Sequence, residues 1–117
     1  MVKINNWFFA QLACAVALSS NAVAAPSSDE IMKECAISSS IARGIMEKRQ
    51  HGASMRQLME DASRTEDEYM KGIRILFIEQ AFRVPSYESA ERKSKAVDEF
   101  ENLGYAGCYM ALTGDKK

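Results

Sequence analysis

Residues 27–52 read SSDEIMKECAISSSIARGIMEKRQHG, and the spacing within this stretch decides the fold class. Ser27 and Glu30 have the separation of a capping box, in which hydroxyl and carboxylate each satisfy a backbone N–H at a helix start. From there Ile31, Cys35, Ala42, Ile45 and Met46 recur at intervals that place them on one helical face, with Ile41 at its edge. Lys33, Ser40, Arg43 and Glu47 fall on the other side. Gly52 supplies a stop, because glycine readily takes the conformation that follows a last helical turn. Two features do not follow the amphipathic rule. Cys35 sits on the apolar stripe, and Arg49, a charged group, returns to that same stripe near the helix end.

The partner for Cys35 lies at the far end of the chain. After Pro85 breaks the backbone, Ser86 or Ser89 can start a last helix ending near Leu112, with Ala90, Val97, Phe100, Gly104, Cys108 and Ala111 on one face. Both cysteines are therefore on core-facing stripes, and an even pair in a small exported domain reads as a disulfide, Cys35–Cys108. Closing a loop of roughly 70 residues stabilises a fold by about 4.5 kcal/mol on the chain-entropy account. Gly104 and Gly107 each weaken an isolated helix by about 1 kcal/mol relative to alanine, a cost expected to be offset by close approach of the first helix beside the bridge.

Two further helices are expected between these. Ser54 and Gln57 repeat the capping box and open a short helix to about Ala62, with Met55, Leu58, Met59 and Ala62 on its apolar side. Thr65 and Glu68 have the same spacing and are expected to open a third helix running to about Arg83. Its faces are unusual. Tyr69, Ile73, Leu76, Phe77, Gln80 and Ala81 share one side, and Ile75, Ile78 and Phe82 form a second apolar strip nearly opposite. A helix apolar on two sides is expected between neighbours. If the first helix leaves the strip Ile75, Ile78 and Phe82 uncovered, that strip is an interaction surface. The isoleucine-rich stretch 72–78 also admits a strand reading, which the surrounding helical period disfavours.

The amino terminus sets the compartment. Lys3 is the sole charge before Asp29, the run from Trp7 to Leu18 is apolar except for Gln11, and Ala22-Val23-Ala24 offers small residues for a peptidase. This is the order of a cleavable secretory signal, residues 1–24, followed by one domain, residues 25–117. The run is too short to span a bilayer, which takes roughly 20 apolar residues, and Gln11 disfavours lipoprotein processing at Cys14. The expected location is the periplasm, with no membrane span once the signal is removed. The formal net charge is −1 and falls one unit further when Lys3 leaves, so nucleic acid is not an expected partner.

Chemistry is sparse. His51 is the single histidine, beside Gly52 at a helix end, where imidazole is commonly a solvated group favoured by the helix dipole. Met55 and Met59 follow it at intervals of four, a spacing soft enough for Cu(I) in principle, but Gly52 and Ser54 interrupt the helix between them and core filling is the better reading. The run Glu66-Asp67-Glu68 suits a helix start. No phosphate-binding glycine loop, zinc motif or serine elbow occurs. No catalytic residue, metal site or cofactor is therefore assigned. Arg49 needs a partner, either a carboxylate (Glu79 and Asp98 are the candidates), a helix-end carbonyl or a bound ligand.

In order, Cys35, Arg49-Gln50-His51-Gly52, the stretch AFRVPSY at 81–87, Phe100, Tyr105 and Cys108-Tyr109 resemble a loose group of small exported proteins of Gram-negative bacteria and their phages or prophages. The resemblance implies export, one disulfide and a helical fold, and supplies no catalytic residues. Together these readings describe an all-α protein, a small bundle of about four helices stapled by one disulfide. The expected function is non-enzymatic: a periplasmic module that binds or inhibits an envelope macromolecule, with an envelope protein as partner. The oligomeric state is not legible. A rival is an acid-stress chaperone, like other small disulfide-bonded periplasmic helical proteins in architecture alone, because its 16 carboxylates neutralise in acid. An enzyme stands third, for want of a polar constellation.

Overall fold

Helix caps written into the chain set the start of every element in the computed structural model, which describes residues 24–114. Ser27 caps α1 (Ser28–Gln50) and Ser54 caps α2 (Met55–Ser63), each through a complete capping box with Glu30 or Gln57. Asp67 caps α3 (Glu68–Ala81) by accepting from the Met70 N–H at 2.8 Å. The expected Thr65 box is therefore not used. Asp67 lies two residues closer to the helix, and aspartate caps at least as strongly as threonine. Of the two candidate starts for the last helix, Ser89 is the one used; it caps α4 (Ala90–Thr113). The stretch 72–78 is helical, and no strand occurs among the described residues. Gly52, at φ +94°, turns the chain out of α1, a backbone state that costs glycine little. The segment read as a secretory signal lies, up to residue 23, outside the described residues.

α1 and α4 form a long antiparallel pair. Cys35 lies opposite Cys108, Arg43 opposite Asp98 and Glu101, and the end of α1 at Gln50 opposite Lys93. The expected disulfide joins Cys35 to Cys108 with the Cα atoms 5.4 Å apart. α3 packs on α1 and α2 and reaches α4 through an edge-to-face contact of Phe77 with Phe100, ring centres 6.0 Å apart. All four helices supply the core: Ala42, Ile45 and Met46, then Leu58 and Ala62, then Phe77, Ile78 and Ala81, then Val97 and Phe100. Each large side chain buried in this way stabilises the fold by about 1.5–3 kcal/mol before chain entropy is counted.

The two glycines of α4 part company. A Cβ built on Gly104 would lie 2.7 Å from the Ala42 Cβ and 3.5 Å from the Ser39 Cα, so hydrogen at this position is what lets α1 and α4 meet beside the bridge. A Cβ on Gly107 would meet nothing within 4 Å. Gly107 is not a packing glycine, contrary to expectation, because α4 has by that turn drawn level with an open groove.

Candidate functional site: an apolar groove between α3 and α4

The strip expected as an interaction surface is largely spent on the core. Ile78 is 2 % exposed, and Ile75 and Phe82 are half-buried against the core cluster. Ile78 borders Leu58 and Ala62 of α2 and Ile45 of α1, so both helices cover this side of α3. The opposite side of α3, which the sequence suggested as core, is the one left partly open. Phe77 and Ala81 are buried, but Tyr69 is 62 % and Leu76 50 % exposed.

These residues form one wall of a groove of about 290 Å³. Tyr69, Ile73, Leu76 and Gln80 stand on the α3 side; Leu103, Ala111 and Leu112 stand on the α4 side. Leu103 is 66 % exposed, an unusual position for a leucine without a partner. Gly104, Gly107 and Cys108 border the groove from α4, so the disulfide and the bare glycine backbone hold its shape. Glu34 and Ser38 reach it from α1, and Glu34 is the single charged group in its lining. From Tyr69 to Gln80 the α3 wall runs about 16 Å, three turns of helix. Its chemistry is that of an aliphatic and aromatic receptor with one carboxylate, Glu34, at its α1 side.

Arg49 has a different fate from an ion pair. Its Nε and Nη2 donate to the Val84 carbonyl at 3.3 and 3.2 Å, and its guanidinium stacks on Phe82, 4.5 Å from the ring centre. Neither Glu79 nor Asp98 is its partner; Asp98 pairs with Arg43. The physical reason is position. At the end of α1, Arg49 faces the turn that follows α3, and the loop carbonyl of Val84 accepts from it there.

The neighbouring Gln50, which sequence reasoning passed over, completes this clamp. It is 1 % exposed, its amide donates to the Pro85 carbonyl at 2.8 Å, and its Oε1 accepts from the Tyr87 N–H at 2.9 Å. Its own carbonyl accepts from Lys93 Nζ. Gln50 thus satisfies three polar groups at this crossing, two through its side-chain amide and one through its backbone carbonyl. The signal was present in the sequence, since Gln50 falls four residues after Met46 on the apolar stripe.

The remaining candidates occupy other ground. His51 Nδ1 lies 2.7 Å from the Glu47 carbonyl at the end of α1 away from the groove, and Gly52 separates it from Met55 and Met59. No group of histidine, cysteine, aspartate and glutamate among the described residues is placed to hold a metal ion. Arg43 is the centre of a charged cluster, bonded to Glu101 at 2.6 Å, Asp98 at 3.0 Å and Glu47 at 3.1 Å. The hydrogen bonds it donates to Glu101 and Asp98, in that order, hold its guanidinium pKa well above the ordinary arginine range. No helix among the described residues is long and apolar enough to cross a membrane. Comparison with protein families, with curated proteins and with solved structures found no match to this chain.

Proposed function

We propose that this protein is a non-enzymatic binding module of the bacterial envelope, exported to the periplasm by residues 1–24, and that its α3–α4 groove receives the apolar side of a helix from an envelope protein. The observation that carries this reading is the groove itself. It joins exposed Leu76, Leu103 and Tyr69 into one apolar surface of the kind that marks contact sites on small proteins. A trough between two helices, about three turns long, suits a helix presenting anchors at i, i+3, i+4 and i+7. An inhibitor or exclusion factor acting on a cell-wall enzyme or a phage component fits this mode and the resemblance to small phage-associated exported proteins.

The test uses the oxidised domain tagged at its carboxyl terminus, exposed to envelope extract with and without crosslinker. A reproducible partner captured by the native protein is expected to be lost in a Leu76→Asp/Leu103→Asp variant whose circular dichroism is unchanged. Equal capture by the folded variant would remove the groove from the account.

A second reading draws on the Arg43 cluster. Of the three carboxylates on the Arg43 guanidinium, Asp98 and Glu101 link α1 to α4 while Glu47 lies on α1 itself, and an ion pair contributes nothing once its carboxylate is neutral. All lie partly in solvent, so that contribution is modest. Capture of unfolded clients near pH 3, with none at neutral pH, would replace the first reading with an acid-opened chaperone.

A further inference from the structure

A second groove runs along the other side of α1, and its features are independent of the α3–α4 site. It has a volume of about 570 Å³ and is floored by Ile37, Ile41 and Gly44 of α1, with Lys33 toward one end and Lys48 and Arg74 toward the other. Among the described residues none of these three cations forms an ion pair. The Arg74 Nε is buried without any hydrogen-bond partner. Asp61 borders Arg74 and Lys48 and is itself bonded to Arg64 at 3.1 Å. Three cations without an ion-pair partner among the described residues thus lie beside apolar surface in a chain of net charge −1.

Gly44 gives the second, separate indication. It lies in the middle of α1, where glycine costs about 1 kcal/mol relative to alanine. A Cβ there would meet nothing within 4 Å, so packing gives no reason for the glycine. What it does is keep the groove floor open between Ile37, Ile41 and the cationic end.

We infer that this groove binds a single-chain anionic amphiphile. The acidic head is held by Lys48 and Arg74, and the alkyl chain lies over Gly44 along Ile41 and Ile37. The distance along α1 from Lys48 to Lys33 is about 22 Å, long enough for an extended alkyl chain, and the volume is in the range of small-molecule sites. A neutral apolar ligand would leave Lys48 and Arg74 unanswered; a free inorganic anion would leave the aliphatic floor exposed. An amphiphile meets both demands.

Laurate is the probe, titrated below its micelle concentration into the oxidised domain and followed by amide chemical shifts and calorimetry. Dodecyltrimethylammonium and inorganic phosphate serve as the reversed-charge and charge-only controls. Saturable laurate binding is expected, with shifts at residues 33–48 and at Arg74, and with both controls at least about tenfold weaker. Lys48→Gln/Arg74→Gln is expected to weaken laurate about tenfold. Gly44→Leu, whose Cβ would meet nothing within 4 Å, fills the floor and should abolish binding while the melting temperature stays level or rises. Equal affinity for the cationic surfactant, unimpaired binding by Gly44→Leu, or shifts confined to the α3–α4 groove would each overturn the assignment.

Discussion

Replacing Gly104 with alanine tests the architecture at its tightest point. The added methyl would sit 2.7 Å from the Ala42 Cβ, whereas carbon atoms at rest are about 3.5–4.0 Å apart. The deficit is therefore about 1 Å, and neither partner can yield alone, since each Cβ is fixed to a helix backbone. The disulfide one turn away limits separation of α1 from α4. Overpacking of this kind costs about 1–3 kcal/mol, and the tightness of the contact argues for the upper half of that range. Helix propensity returns about 1 kcal/mol when glycine becomes alanine. The net expectation is a loss of about 1–2 kcal/mol, a fall in melting temperature of about 5–10 °C for a domain of this size. Gly107→Ala is the matched control. It carries the same propensity gain and strikes nothing, so it should raise the midpoint by about 3–6 °C. Thermal unfolding by circular dichroism, with the disulfide intact, measures both. An Ala42→Gly/Gly104→Ala double variant removes the clash and should recover part of the loss, in the manner of a coupled pair. Gly104→Ala as stable as the parent, or destabilised no differently from Gly107→Ala, would refute close helix approach as the reason for the glycine.

Other outcomes follow from the same geometry. Reduction, or Cys35→Ser/Cys108→Ser, should destabilise the domain by about 2–5 kcal/mol; an unchanged midpoint with and without reductant would contradict this. Gln50→Ala leaves the Pro85 carbonyl and the Tyr87 N–H without their partner and should cost about 2–3 kcal/mol in denaturant titrations. Arg49→Lys keeps the charge but loses the two-nitrogen grip on Val84 and the flat stack on Phe82, so about 1 kcal/mol should be lost despite the conservative change. Ile78→Asp, which buries a charge between α2 and α3, should prevent folding, while Leu103→Asp leaves the circular dichroism spectrum unaltered because its side chain stands in solvent.

Legibility followed the range of the interaction that decides each feature. The Ser27 and Ser54 caps, the stop at Gly52 and the apolar stripe of α1 depend on neighbours three or four residues away, and all were readable. The start of α3 was misplaced by two turn residues because Thr65 and Asp67 both offer an oxygen, and only backbone geometry chooses between them. Arg49 was singled out correctly as a charge on an apolar stripe. Its acceptor, a carbonyl at Val84, has no side-chain signature and could not be named. Gln50 had a signature, a polar amide among core positions, and was overlooked beside the more conspicuous arginine.

The groove shows the division most clearly. Sequence periodicity established that α3 is apolar on two sides, that Cys35 and Cys108 face inward, and that the chain is a small helical bundle joined end to end by their bridge. Those conclusions rest on spacing along one helix and on the scarcity of cysteine. Which side of α3 is covered depends on where the short helix α2 settles, and that is a choice among competing packings of several elements. α2 joins α1 in covering the strip containing Ile78, leaving Tyr69 and Leu76 beside α4. In the same way, a glycine that is required at 104 and free of contacts at 107 looks identical in the sequence. Only the approach of α1 in three dimensions makes one a point of contact and the other part of an open surface.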